Sequence, residues 1–204
     1  RTVMEKAKHI VVITGSPRRS GNSFAMTRAF TDACEAKGHS VTRFDAAFMN
    51  VRGCMACEHC YEKGDQACIF NDDFNTIARA VETADLVVLA CPVYWYSFPA
   101  QIKAVLDKFF SFYMRGKRSD IMKSKKCALL SCLEETDMEI GNESVRTPYL
   151  RATELLGWNS IGEVIVPGVY EAGAIKSTDG EERAARLAAE IRVGDHSGSH
   201  GFIR

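Results

Sequence analysis

The sequence predicts an α/β fold: a doubly wound, five-stranded parallel sheet with helices on both faces. Three observations carry that expectation. Strand-like apolar runs alternate with helically periodic segments along most of the 204 residues, as chains built of strand, crossover helix and parallel strand do. The first run ends in a Gly/Ser/Pro turn that opens directly onto an amphipathic helix, an arrangement suited to holding phosphate. A later run ends in the aromatic group Tyr94, Trp95, Tyr96 and Phe98, at the strand end where such sheets bind ligands.

Residues 10–14 read as the first strand, I-V-V-I-T. Over 23–37, Met26, Ala29, Phe30, Ala33 and Cys34 recur at helical spacing, and Gly38 supplies the stop. Residues 41–45 form the second strand. Asp72 or Asp73 caps a helix carrying Phe74, Ile77, Ala78 and Val81 on one stripe, and the buried strand 86–90 follows. Pro99 suits the first turn of a single helix whose stripe is Ile102, Val105, Leu106, Phe109 and Phe110. The basic stretch 115–126 is expected as a solvated connection into a fourth strand at 127–131. Thr147 and Pro148 read as the cap and first residue of a helix ending near Gly157, the fifth strand covers 161–166, and a last helix over 181–191 aligns Ala184, Leu187, Ala188 and Ile191. These elements predict the flavodoxin-like order 2-1-3-4-5. Residues 1–193 are expected to form one domain with a cysteine-rich insertion at 50–70, because chains divide only beyond roughly 250 residues. The Gly/Ser/His-rich tail, 194–204, is expected to fray.

Lys plus Arg and Asp plus Glu both number 26, so no net field draws the chain to nucleic acid or to an anionic membrane. No apolar run approaches the ~18 residues of a membrane span. The 8 cysteines do not form a secreted disulfide pattern, since four crowd into one stretch and the others sit in or at the ends of apolar segments. Cys34, Cys91 and Cys127 read as core thiols. A reducing, cytoplasmic setting is expected.

The turn G-S-P-R-R-S-G-N-S at 15–23 is neither a Walker A loop nor a dinucleotide fingerprint. It reads as a monophosphate cradle in which Ser16, Ser20 and Ser23 donate, Asn22 caps the helix, and Arg18 or Arg19 neutralises charge. An ordinary well-capped strand-to-helix turn is the plainer alternative. In the aromatic loop, Tyr94, Trp95 and Tyr96 can stack on a flat ring while the loop amides bond its polar edge. Covering the sheet end or a subunit contact is the alternative there. A phosphate and a planar ring joined by a short chain is FMN, so the two loops explain each other.

Cys54, Cys57, Cys60 and Cys68 follow a C-x2-C-x2-C-x7-C pattern, whose two-residue gaps resemble ferredoxin loops binding a [4Fe-4S] cluster. An empty thiol cluster or a Cys57/Cys60 dithiol competes with that reading. Zinc fits less well, because it draws on two separated knuckles. His59 reads as a solvent-facing neighbour.

The phosphate turn together with P-V-Y-W-Y-S-F-P-A at 92–100 resembles the flavodoxin-like NAD(P)H-dependent FMN reductases, and with the cysteine run the chain is most similar to their iron-sulfur flavoprotein branch. The resemblance covers about 10–166. It implies that Ser16, Arg18, Asn22 and Ser23 hold the FMN phosphate and that Pro92, Val93, Tyr94 and Trp95 contact the ring. Ser131 and Cys132 lie where the family's third loop approaches the flavin, although Leu133-Glu134-Glu135 departs from the glycine-rich version in related quinone reductases. The implied activity is electron transfer from NAD(P)H through FMN to a quinone, flavin or other small acceptor, with no side chain required as acid or base. An electron carrier without catalysis and a thiol-based redox sensor are the rival readings. A homodimer or homotetramer is expected, since the aromatic loop otherwise exposes an apolar patch.

Overall fold

A computed structural model describes residues 6–116 and 122–191. Part of the basic connection over 115–126, and all of the tail at 194–204, lie outside the described residues. The β-branched runs become β1 (His9–Thr14), β2 (Ser40–Asp45), β3 (Leu86–Pro92), β4 (Lys126–Cys132) and β5 (Asn159–Val166). All pair in parallel, in the order β2-β1-β3-β4-β5. The expected topology is therefore the one found.

The helices are α1 (Asn22–Ala36), α2 (Phe74–Thr83), α3 (Ala100–Asp107), α4 (Phe110–Gly116), α5 (Met138–Gly141), α6 (Thr147–Leu156) and α7 (Gly180–Leu187). Strand side chains alternate between two apolar layers. Val11, Ile13, Val87, Leu89 and Leu129 meet α2, α3, α4 and α6 on one face. Ile10, Val12, Val88, Ala90 and Leu130 meet α1 and α7 on the other. Because both faces are covered, the strands read as unbroken hydrophobic runs. Cys34, Cys91 and Cys127 are buried in these layers, as expected.

Two helices depart from expectation. The stripe from Ile102 to Phe110 is divided, because the amides of Lys108 and Phe109 bond the carbonyls of Val105 and Leu106 and tighten the end of α3 into a 3₁₀ turn. That break turns Lys108 inward and packs Phe109 and Phe112 against Trp158, with ring centroids 5.7 and 6.2 Å away. Thr147 is not a helix cap: it is the first residue of α6, which has no free start. Helical turns already run from α5 through a π-helical stretch at Asn142–Arg146 into α6. The wider turn absorbs the amide that Pro148 lacks. Gly157 does end α6, in a left-handed conformation with φ of 74°. The last helix stops at Leu187 and continues as a 3₁₀ turn over Ala188–Glu190, with Ala184, Leu187, Ala188 and Ile191 buried as predicted.

Candidate functional site

The order of the sheet reverses between β1 and β3, so the loops leaving those two strands stand side by side. Thr14 pairs with Ala90, and the Gly15 amide donates to the Ala90 carbonyl at 2.9 Å. A Cβ on Gly15 would lie 2.7 Å from Ile102 Cβ and 3.1 Å from Cys91 Cβ, so only glycine lets the chain leave β1 this close to the next strand. The turn then folds on itself: the Gly21 amide donates to the Arg18 carbonyl at 3.0 Å, and Ser16 Oγ accepts from the Arg18 amide at 3.1 Å. Among the described residues, no acceptor meets the amides of Arg19, Ser20, Asn22, Ser23 and Phe24. They crowd the start of the 15-residue α1, where its dipole is positive. Ser16 and Ser23 are buried in the turn, while Arg18, Arg19 and Ser20 are exposed.

Asn22 is not the helix cap. Gly21 takes that position, and the Asn22 carboxamide reaches across to the segment before α7. Its Oδ1 accepts from the Gly173 and Ile175 amides, both at 3.1 Å, and its Nδ2 donates to the Glu171 carbonyl at 2.9 Å. Arg18 leans the same way, donating to the Tyr170 carbonyl at 3.4 Å with its guanidinium 5.5 Å from that ring. The 170–175 segment is thus a wall of the site that the sequence did not reveal, because its ties span about 150 residues.

On the neighbouring strand, Val93 is drawn to β4 by a bond from its amide to the Cys132 carbonyl at 2.9 Å. Tyr94 and Ser97 then exchange two backbone bonds, at 2.9 and 3.0 Å, around Trp95 and Tyr96. Those two residues have φ of 49° and 60°, a tight turn that ordinarily takes Asn-Gly. Left-handed backbone costs a non-glycine residue about 1–3 kcal/mol and collects at ligand sites. Trp95 is 94% exposed and Tyr96 62%. Pro92 and Val93 are half-buried beneath them, and Phe98 belongs to the core. The aromatic pair is held out from the surface by a strained turn rather than packed over the sheet end.

Ser131 and Cys132 do not present their side chains there. Ser131 is fully buried, and its hydroxyl donates to the Cys91 carbonyl at 2.7 Å. Cys132 lies in the α1/α7 layer, where burial pushes its thiol up to about 12. In a sheet covered on both faces, strand side chains point into the layers. The loop beyond them, with Glu134 and Glu135 exposed, forms this edge of the site.

The cysteine run packs on the α2/α4 side. Cys54, Cys57, Cys60 and Cys68 line one concavity, together with Phe74 and Ser111. Burial and the neighbouring Cys54, Cys68 and Cys57 push the Cys60 thiol up to about 11, so unligated Cys60 is protonated at neutral pH. Ala56, Glu58 and Tyr61 have φ of 52°, 60° and 60°, left-handed backbone at three non-glycine residues, and Gly64 adds a fourth such position at 71°. His59 faces outward to Glu62, its Nδ1 2.8 Å from the carboxylate. Among the described residues, no three His, Cys, Asp or Glu side chains stand in a metal-ligating arrangement. The donor set nonetheless suits a thiolate-held group: four cysteines line one concavity, and a buried hydroxyl on its wall lacks a partner among the described residues.

The first turn of α2 anchors this run, and periodicity does not disclose it. Asp73 Oδ2 accepts from the Asn50 amide at 2.7 Å, and Asp72 Oδ2 from the Arg52 amide at 3.0 Å. Asp72 Oδ1 accepts from the Phe74 amide at 2.9 Å, making Asp72 the capping side chain of the expected pair. Asn75 grips the far end, accepting from the Cys68 amide at 2.8 Å and donating to the carbonyls of Cys68 and Phe70 at 3.2 and 2.9 Å.

A doubly wound parallel sheet in this order, with a phosphate-type turn and an aromatic turn side by side at its switch point, defines a flavodoxin-like α/β protein. The chain belongs to the NADPH-dependent FMN reductase family, whose pattern it matches over residues 9–136. It is 34% identical over 102 residues to an iron-sulfur flavoprotein of Archaeoglobus fulgidus, covering 50% of this chain and 46% of that protein. To the iron-sulfur flavoprotein of Methanosarcina thermophila it is 31% identical over 122 residues, covering 60% and 61%. The chain thus spans about half the length of these relatives. The solved NAD(P)H:quinone oxidoreductase from Methanothermobacter marburgensis superposes on 95% of this chain and 100% of its own with a TM-score of 0.71 at 19% identity, a likeness of fold.

Proposed function

We propose that this chain is an NAD(P)H-dependent flavin oxidoreductase. FMN is its resident cofactor at the 15–23 and 92–98 turns, and Cys54, Cys57, Cys60 and Cys68 hold a [4Fe-4S] cluster. The observation that carries the reading is the row of unpartnered amides beside the strained aromatic turn, both at the β1/β3 reversal. Family membership and the iron-sulfur flavoprotein relatives support it.

The amides of Arg19, Ser20, Asn22, Ser23 and Phe24 and the hydroxyl of Ser20 bind the phosphate, and Arg18 and Arg19 offset its charge. Ser16 and Asn22 act one step back, Ser16 by shaping the turn and Asn22 by fixing it to 171–175. Pro92, Val93, Tyr94, Trp95 and Tyr96 would contact the ring, and the exposed aromatic side chains would shield it from water. FMN, when bound, would supply the redox chemistry between NAD(P)H and a quinone, a flavin or another small acceptor. A cluster on the four thiolates supplies one-electron transfer. The exposed aromatic turn favours a homodimer or homotetramer, and the thiol-rich composition suits the reducing cytoplasm. Among the described residues, no helix is long and apolar enough to cross a membrane.

Anaerobic loading with FMN, iron and sulfide, followed by NADH or NADPH oxidation with quinone or free flavin, tests the reading. Turnover with either nicotinamide is expected. FMN-loaded protein inert with both is instead an electron carrier, and protein that takes up no FMN overturns the assignment.

A further inference from the structure

Ser111 lies in α4, where a serine hydroxyl ordinarily returns to the carbonyl one turn back. Here it does not. The residue is 2% exposed, and its Oγ is buried without a hydrogen-bond partner among the described residues. The same residue lines the concavity shared by Cys54, Cys57, Cys60 and Cys68. Lys108, the neighbouring polar group on that wall, is committed to Asp72, with Nζ 2.5 Å from Oδ2. A hydroxyl stripped of water and given nothing in return carries an uncompensated desolvation cost. Such an atom points to a partner beyond the described residues.

We propose that Ser111 donates its hydroxyl hydrogen to a sulfur of the cysteine-held cluster and thereby sets that cluster's reduction potential. The proposal rests on the cluster reading above. Reduction adds one electron, and so one negative charge, to a group already anionic with thiolate ligands. A donor aimed at sulfur therefore favours the reduced form and raises the potential. Ser111 is a positioning and tuning residue here, since the four cysteines supply the ligands.

The test uses the full chain loaded anaerobically with FMN, iron and sulfide, as wild type, Ser111→Ala and Ser111→Thr. Iron and acid-labile sulfide are counted, and the cluster is titrated with dithionite under redox mediators while its electron paramagnetic resonance signal is followed. Ser111→Ala is expected to hold as much iron as wild type and to shift the reduction equilibrium roughly tenfold toward the oxidised form, about 59 mV for one electron. Ser111→Thr, which keeps the hydroxyl, restores the wild-type potential, and the flavin midpoint does not move. The apo Ser111→Ala protein melts no lower than apo wild type. An unchanged potential at full iron content overturns the proposal, as does loss of iron from Ser111→Ala alone, which would make Ser111 a structural or ligating residue. Wild type that takes up no iron overturns the cluster reading itself, and the proposal with it.

Discussion

Asn75 shows how one polar side chain can govern a distant motif. Its carboxamide satisfies both the amide and the carbonyl of Cys68 and also holds Phe70, while it is itself buried. Replacing it, Asn75→Leu, strands these backbone groups. A loss of about 1–3 kcal/mol is expected in urea unfolding, with lower iron retention after loading. Gly15→Ala places a methyl 2.7 Å from Ile102. Overpacking of this kind costs about 1–3 kcal/mol, and widening the exit from β1 should also weaken FMN binding, as read by quenching of flavin fluorescence. At this scale the legible residues were those with a local signature: the cysteine spacing, the glycine-serine turn and the aromatic group. Asp72 in its anchoring role, Asn75 and Ser111 were hidden, because their meaning comes from contacts across many residues of chain. Asn22 was misassigned as a cap for the same reason. Ser131 and Cys132 stand at the end of β4, where a doubly covered sheet turns their side chains inward.

Two elements carry strain or buried charge that composition alone does not show. The turn at 94–97 places Trp95 and Tyr96 where Asn and Gly are favoured. The double variant Trp95→Asn with Tyr96→Gly should stabilise the apo protein by about 1 kcal/mol while weakening FMN retention. A rise in melting temperature with a rise in the dissociation constant for FMN would display that exchange. The junction of α3 and α4 buries Lys108 against Asp72, whose side chains are 4% and 2% exposed. Asp72→Ala leaves an unpaired buried ammonium and removes the acceptor for the Arg52 and Phe74 amides. Breaking such a pair costs about 3–5 kcal/mol, and urea unfolding should show a loss of that order. All five strands were legible to within two residues at each end, since uninterrupted apolar runs between polar boundaries have few other readings. The break at Lys108 and the π-helical entry to α6 were not. Both come from tertiary packing that overrides a locally sound periodicity.

In the molecule as a whole, β1 and β3 bring the two proposed cofactor turns to one edge, and the cysteine run docks beside α2 and α4 on one covered face. A cofactor that binds only this folded arrangement stabilises it by mass action. FMN at a hundred times its dissociation constant should add about 2.7 kcal/mol, visible as a melting temperature that rises with FMN concentration. Sheet order was legible because the alternation of elements leaves few topologies open. The closing of the site by the final third of the chain was not. Asn22 and Arg18 bind residues 170–175, well past the 9–136 stretch that marks the family. A polypeptide cut after the family's hallmark would keep every diagnostic residue yet lose the clasp that braces its front loop, so the bracing of that loop waits until residues 170–175 have been made.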